Sequence, residues 1–181
     1  EPDGVAKRPT RRRGGVLDAD HARAGDRSLP HRGAHPRDRV GEGTVHIGGD
    51  ESLSTSHEDY LEIVGSAVDT VHRAGGRVVA WQEAADLLGP GDLVQVWDER
   101  QDFSRIVEAS RRGVGVILSP ASRTYLDAKY SDDFPLGLTW AGTSELRDCL
   151  EWDPLEVVPG LGPSAVAGVE AAIWSETTRT L

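Results

Sequence analysis

The stretch His46-Ile47-Gly48-Gly49-Asp50-Glu51 decides how this chain is read. Thr44-Val45-His46-Ile47 is a short apolar run fit for a strand. The glycine pair after it lets the backbone bend and approach a ligand closely. Two adjacent carboxylates then stand where the strand ends. Acids in that position lie at the mouth of a sheet or barrel, where α/β enzymes keep their chemistry. Taken alone, Gly48-Gly49-Asp50-Glu51 reads more simply as a turn capped by solvated acids. What moves the reading is the set of residues that follows.

Downstream of the acids the rhythm is regular. Ser56 is placed to cap a helix from His57 to Ala74, with Tyr60, Ile63, Val64, Ala67, Val68 and Val71 on one face and Gly75-Gly76 at its end. Strands are expected at Thr44–Gly49, Arg77–Trp81, Asp92–Trp97 and Gly113–Ser119, and a fifth at Ala167–Trp174. A second helix is expected over 102–112 and a turn at Gly89-Pro90-Gly91. A long irregular segment rich in Tyr, Trp, Asp and Pro separates the fourth and fifth strands. Strands that alternate with helices and are continuously apolar indicate an α/β fold, a parallel sheet covered on both faces.

The 181 residues suffice for one domain with a core. The net charge of -10 argues against nucleic acid as a partner, because a phosphate binder needs a basic face. The single cysteine, Cys149, excludes an internal disulfide and a cysteine-rich metal site. No apolar run reaches the ~18 residues of a membrane span, and the start lacks the apolar segment of a signal peptide. The compartment stays open between extracellular and cytoplasmic. The averages hide a break near Gly41. Residues 1–40 carry ten Lys+Arg against six Asp+Glu, residues 41–181 carry ten against 24, and all ten aromatic residues lie at or after Tyr60. The expectation is a basic, low-order leader over 1–40 and a catalytic α/β unit over 41–181. Two readings of the leader stand, a disordered segment or a non-native one; Asp26 to Val40 read one base later permits an amphipathic helix, which motivates the hypothesis of a shifted frame.

One strand after another ends in aromatic or acidic residues: Asp50-Glu51, Trp81-Gln82-Glu83, Trp97-Asp98, Tyr125-Leu126-Asp127 in the loop after the fourth strand, and Trp174-Ser175-Glu176. In a βα barrel these ends face one mouth. Aromatic walls with a few acids describe a carbohydrate site. Rings stack on the C–H faces of a sugar, and carboxylates accept hydrogen bonds from its hydroxyls.

The same residues carry a family resemblance. His46-Ile47-Gly48-Gly49-Asp50-Glu51 resembles the active-site motif of family 20 glycoside hydrolases, the β-N-acetylhexosaminidases. Trp81-Gln82-Glu83, Gln95-Val96-Trp97, Ser119-Pro120, Tyr125-Leu126-Asp127, Trp140, Trp152-Asp153-Pro154 and Gly168–Glu176 follow in the family's order and spacing. The resemblance covers about residues 43–181. It implies a partial (β/α)8 TIM barrel, roughly strands four to eight. Two parts of the family pattern have no counterpart here: an arginine near the end of the first strand and a further pocket histidine. Cys149-Leu150 stands where the family often has a tyrosine.

The resemblance also implies a reaction: substrate-assisted, retaining hydrolysis of a terminal β-linked N-acetylhexosamine, outside the two-carboxylate scheme. Glu51 is implied as the general acid and base. Asp50 is implied as the group that orients the acetamido N–H and stabilises developing positive charge. Glu51 has to start protonated, and the neighbouring Asp50 and the Trp-lined pocket are expected to raise its pKa. Tyr125 is implied to hold the acetamido oxygen. Trp81, Trp97 and Trp174 would box the methyl group, Asp127 and Glu176 would bind ring hydroxyls, and Trp140 would add to the wall. His46 reads as a buried, hydrogen-bonded structural histidine. The implied partners are N-acetylhexosamine-terminated oligosaccharides or glycoconjugates, with no cofactor, metal, membrane or nucleic acid.

Two rival readings stand beside this one. In a metal-dependent hydrolase His46, Asp50 and Glu51 would be ligands, although the other histidines do not lie at strand ends. In the second, the chain is an inactive truncated fragment or a weak sugar binder, because a five-strand barrel has open edges. On that ground the isolated chain is expected to be unstable, to aggregate or to need a partner.

Overall fold

The computed structural model describes residues 43–177. The leader over 1–40 and its reading frame lie outside the described residues. Five strands form one sheet: β1 (Thr44–His46), β2 (Arg77–Trp81), β3 (Leu93–Val96), β4 (Gly115–Leu118) and β5 (Val166–Val169). They lie side by side in sequence order, and every neighbouring pair is parallel. Each strand therefore runs the same way, and all five carboxyl ends reach the same rim.

The core explains the apolar runs. Val78, Ala80, Val94, Val96, Val116 and Leu118 of the central strands are fully buried and pack with Val68, Ile106 and Ala109 from the helices. β2 is buried on both faces for most of its length, as the two-sided cover of a parallel sheet requires. The outer strands β1 and β5 are only partly buried.

α1 spans His57–Arg73, and Ser56 caps it by accepting a hydrogen bond from the Asp59 N–H at 3.1 Å. It packs on β2 and on a 3-10 turn, Gln82–Leu87, that the sequence reading did not anticipate. Val64, Val68 and Val71 supply the contact. Ile63, expected on the same face, is exposed because it sits about 100° round the helix from Val64. α2 spans Ser104–Arg111 and buries Ile106 and Ala109. The segment expected to be irregular holds two short helices, α3 (Ala121–Thr124) and α4 (Leu146–Leu150).

The fifth strand is shorter than expected. It ends at Val169 rather than Trp174, and Ala167 is an extra residue in its pairing with β4, a local bulge. The cause is the partner. β4 stops at Leu118 and the chain turns into α3 at Pro120, so the ladder has nothing further to pair with. The continuation pairs instead with the end of α3 and the loop after it: the Ala172 N–H donates to Thr124 C=O at 3.0 Å, and the Leu126 N–H donates to Ala172 C=O at 2.7 Å.

Candidate active site

The strand ends converge on a cleft of about 340 Å³ lined by Asp50, Glu51, Trp81, Trp97, Tyr125, Asp127, Leu138, Trp140, Trp174 and Glu176. All nine residues singled out from the sequence are among these, and Leu138 joins them.

The acids come first. Gly48 and Gly49 both take positive φ, at 76° and 95°, so the chain leaves β1 in a conformation that glycine adopts without strain. A side chain at Gly49 would also meet the Tyr60 hydroxyl at 3.2 Å. That hydroxyl donates to the Gly49 carbonyl at 2.7 Å, which ties the bend to α1. Burial pushes the Tyr60 phenol up to about 12, with the neighbouring Glu83 adding to the rise, so it remains a donor. Glu51 is the one non-glycine residue with positive φ among those described, at 45°. Left-handed backbone in a residue with a Cβ is a strained position of the kind found at functional sites. Both carboxylates stand exposed at the rim.

The rings form the opposite wall. Trp81, Trp97 and Tyr125 are buried and pack together with Ala121. Tyr125 sits between Trp140 and Trp174, with centroids at 5.8 and 5.7 Å. Trp81 reaches Trp174 at 6.2 Å, and Trp97 meets Trp140 edge-on at 5.7 Å. Desolvation raises the Tyr125 phenol well above its ordinary range, against a lowering hydrogen bond with Trp174, and Asp50, Asp127 and Glu170 reinforce the rise. The hydroxyl is thereby kept as a hydrogen-bond donor. Asp127 accepts from the Trp174 backbone N–H at 3.0 Å, fixing the carboxylate and the indole together.

His46 is hydrogen-bonded but not buried, contrary to the sequence expectation. β1 is the outermost strand among the described residues, so one flank of the ring is uncovered. Its Nδ1 accepts from the Gly48 N–H at 3.1 Å, so Nε2 carries the hydrogen and donates to Gln95 Oε1 at 3.1 Å. Its ring packs edge-on against Trp81 at 5.2 Å. For the metal reading, no group of three or more His, Cys, Asp or Glu residues among the described residues is disposed to hold an ion.

Several supporting residues were given no role from the sequence. Buried Gln82 uses both ends of its amide: Oε1 accepts from the Trp97 and Asp98 N–H groups at 2.8 and 2.9 Å, and Nε2 donates to Asp98 C=O at 3.1 Å. It fixes the backbone that carries Trp97. Buried Gln95 on β3 links His46 on β1 to Ser119 and Glu170, which directly follow β4 and β5. Glu83 accepts from Trp97 Nε1 at 3.3 Å. Its pKa is raised, chiefly by burial. Leu138 is set by backbone bonds to Asp127 and Lys129, and the approach needs Gly137, where a Cβ would fall 2.6 Å from the Asp127 carbonyl. A glutamine inside an apolar strand, as in Leu93-Val94-Gln95-Val96, was the available signal for the network. Leu138 carried none.

Known proteins match this arrangement. The model of glycosyl hydrolase family 20, catalytic domain, matches residues 50–181. A beta-N-acetylhexosaminidase of Cellulomonas fimi is 49% identical over 138 residues, covering 76% of this chain and 28% of that protein. The structure of the GH20 beta-N-acetylhexosaminidase from Streptomyces coelicolor A3(2) superposes with a TM-score of 0.72 at 42% identity, over 76% of this chain and 29% of that one. A mutant Streptomyces plicatus beta-hexosaminidase in complex with product (GlcNAc) matches with the same TM-score, identity and coverage. The chain thus spans under a third of the length of these relatives.

Proposed function

The chain belongs to glycosyl hydrolase family 20, and from that premise we propose that it hydrolyses terminal β-linked N-acetylhexosamine by substrate assistance. The observation that carries this reading is the single cleft holding two adjacent carboxylates, a ring box and a phenol kept protonated. A relative with GlcNAc bound as product supports the substrate class.

In the proposed reaction the sugar's acetamido carbonyl oxygen attacks its own anomeric carbon. The Tyr125 O–H donates to that oxygen and aims it. Trp81, Trp97 and Trp174 enclose the acetamido methyl, which restricts the group to a near-attack pose. Asp50 accepts the acetamido N–H and offsets the positive charge that grows on the five-membered ring. Glu51 gives its proton to the glycosidic oxygen as the bond to the leaving group breaks. It then takes a proton from the water that opens the ring, so configuration at the anomeric carbon is retained. Asp127 and Glu176 accept from ring hydroxyls, and Trp140 flanks the sugar.

The test is release of an aryl alcohol from aryl N-acetyl-β-glucosaminide and galactosaminide, with the aryl β-glucoside as control. Turnover of the acetamido sugars alone supports the reading. Equal turnover of the glucoside, or of none of them, counts against it.

A further inference from the structure

The two glycines that carry the chain from β1 to Asp50 have no side chains to hold them. Both sit at positive φ, where glycine moves freely. The placing of the two acids therefore depends on bonds made to the bend from its surroundings. Three are present. The Trp81 N–H donates to Gly48 C=O at 3.0 Å, and the Tyr60 hydroxyl donates to Gly49 C=O at 2.7 Å. The third runs the other way, from the Gly48 N–H to His46 Nδ1 at 3.1 Å. The first two acceptors are carbonyls and always ready. The third exists only while Nδ1 carries no hydrogen.

What keeps Nδ1 bare lies across the sheet. His46 Nε2 is 3.1 Å from Gln95 Oε1, and Gln95 Nε2 donates to Ser119 Oγ at 2.8 Å and to a Glu170 carboxylate oxygen. Gln95 is buried, so its amide has these partners in place of water. Turned end for end, the amide would set its carbonyl against the Glu170 carboxylate, two acceptors with no hydrogen between them. Its N–H groups would then face His46, which would have to bare Nε2 and load Nδ1. The Gly48 N–H would meet a second donor. Ser119 tolerates either sense, since a hydroxyl donates or accepts. Direction is therefore set at Glu170, which as a carboxylate only accepts, and delivered at Gly48.

Building on the function proposed above, we propose that Gln95 and Glu170 are positioning residues for the acid pair. Glu170 fixes the sense of the Gln95 amide, the amide fixes the His46 tautomer, and His46 holds the bend that presents Asp50 and Glu51. Neither Gln95 nor Glu170 lines the cleft that takes the sugar. The relay is a single path, so breaking it at either residue has one effect rather than two.

The test uses the full chain at low concentration. Hydrogen exchange at the Gly48 amide is read by mass spectrometry with fragmentation, and kcat and KM on an aryl N-acetyl-β-glucosaminide are measured beside it. The Gly48 amide of the unsubstituted chain is expected to be protected. Gln95→Leu and Glu170→Leu are each expected to speed its exchange and to lower kcat by about five- to tenfold, the worth of one hydrogen bond, with KM within about twofold. The double variant is expected to lose no more than either alone. Glu170→Gln, which keeps an acceptor for the Gln95 N–H, is expected to stay within about twofold of the unsubstituted chain. Circular dichroism checks that each variant is folded. Should Gln95→Leu not fold, the two substitutions at exposed Glu170 decide alone. An unprotected Gly48 amide, additive losses in the double variant, or a Glu170→Gln that falls as far as Glu170→Leu overturns the relay. Faster exchange with kcat unchanged overturns it too. Exchange as expected in a chain that turns over no acetamido sugar overturns the proposed function, and the catalytic role of the relay with it.

Discussion

Glu51 and Tyr125 illustrate how position sets what a side chain is offered to do. Glu51 is exposed and held in a left-handed backbone at the rim of the ring-lined cleft, whereas Tyr125 is buried between Trp140 and Trp174 with its phenol raised in pKa. On the proposed roles, Glu51→Gln lowers kcat by about 10²–10⁴-fold, with the smallest loss on activated aryl leaving groups, which need little protonation. Tyr125→Phe removes one donor to the reacting oxygen and is expected to lower kcat by about 10²–10³-fold with little change in KM. Steady-state kinetics over aryl glycosides of graded leaving-group acidity separates the two effects. Glu83 makes a prediction on stability. Its pKa is raised above 4.5 in the folded chain, so the native state holds that proton more tightly than the unfolded chain. The benefit is full below the unfolded value and is lost as pH rises through the folded one. Glu83→Gln should therefore raise Tm near about pH 7 and make little difference at about pH 4, measured by thermal melts across pH.

The glutamine straps show why strand ends are placed as firmly as strand interiors. Replacing Gln82 by Ala would leave the buried Trp97 and Asp98 N–H groups without their acceptor. The expected cost is about 2–3 kcal/mol in urea unfolding, together with weaker sugar binding through a loosened Trp97. These straps also mark the limit of what the sequence disclosed. β1, β2, β3 and β4 were legible because apolar runs bounded by glycines have few other uses, and α1 because Ser56 caps a clear 3.6-residue pattern. The nine lining residues were legible because aromatic and acidic side chains recur where strands end. The end of β5 was not, since it depends on β4 turning away at Pro120, a contact distant in sequence. Leu138 was not either, because its place rests on Gly137 passing close to the Asp127 carbonyl.

Across the described residues the sheet has two open edges, β1 and β5, and large apolar side chains stand exposed near them, including Val45, Val169 and Ile173. Unpaired strand edges template association. The 181-residue chain is therefore expected to self-associate as its concentration rises to the order of tens of micromolar. Size-exclusion chromatography with light scattering checks this, and a single monomeric species throughout would contradict it. The reach of the proposed chemistry rests on the acetamido group acting as nucleophile, and this is open to direct measurement. Aryl glycosides whose acetamido methyl carries no, one, two or three fluorine atoms differ mainly in the nucleophilicity of the carbonyl oxygen. Substrate assistance by the Asp50, Glu51 and Tyr125 cleft predicts a hydrolysis rate that falls steeply with each fluorine. A rate indifferent to fluorination would contradict it.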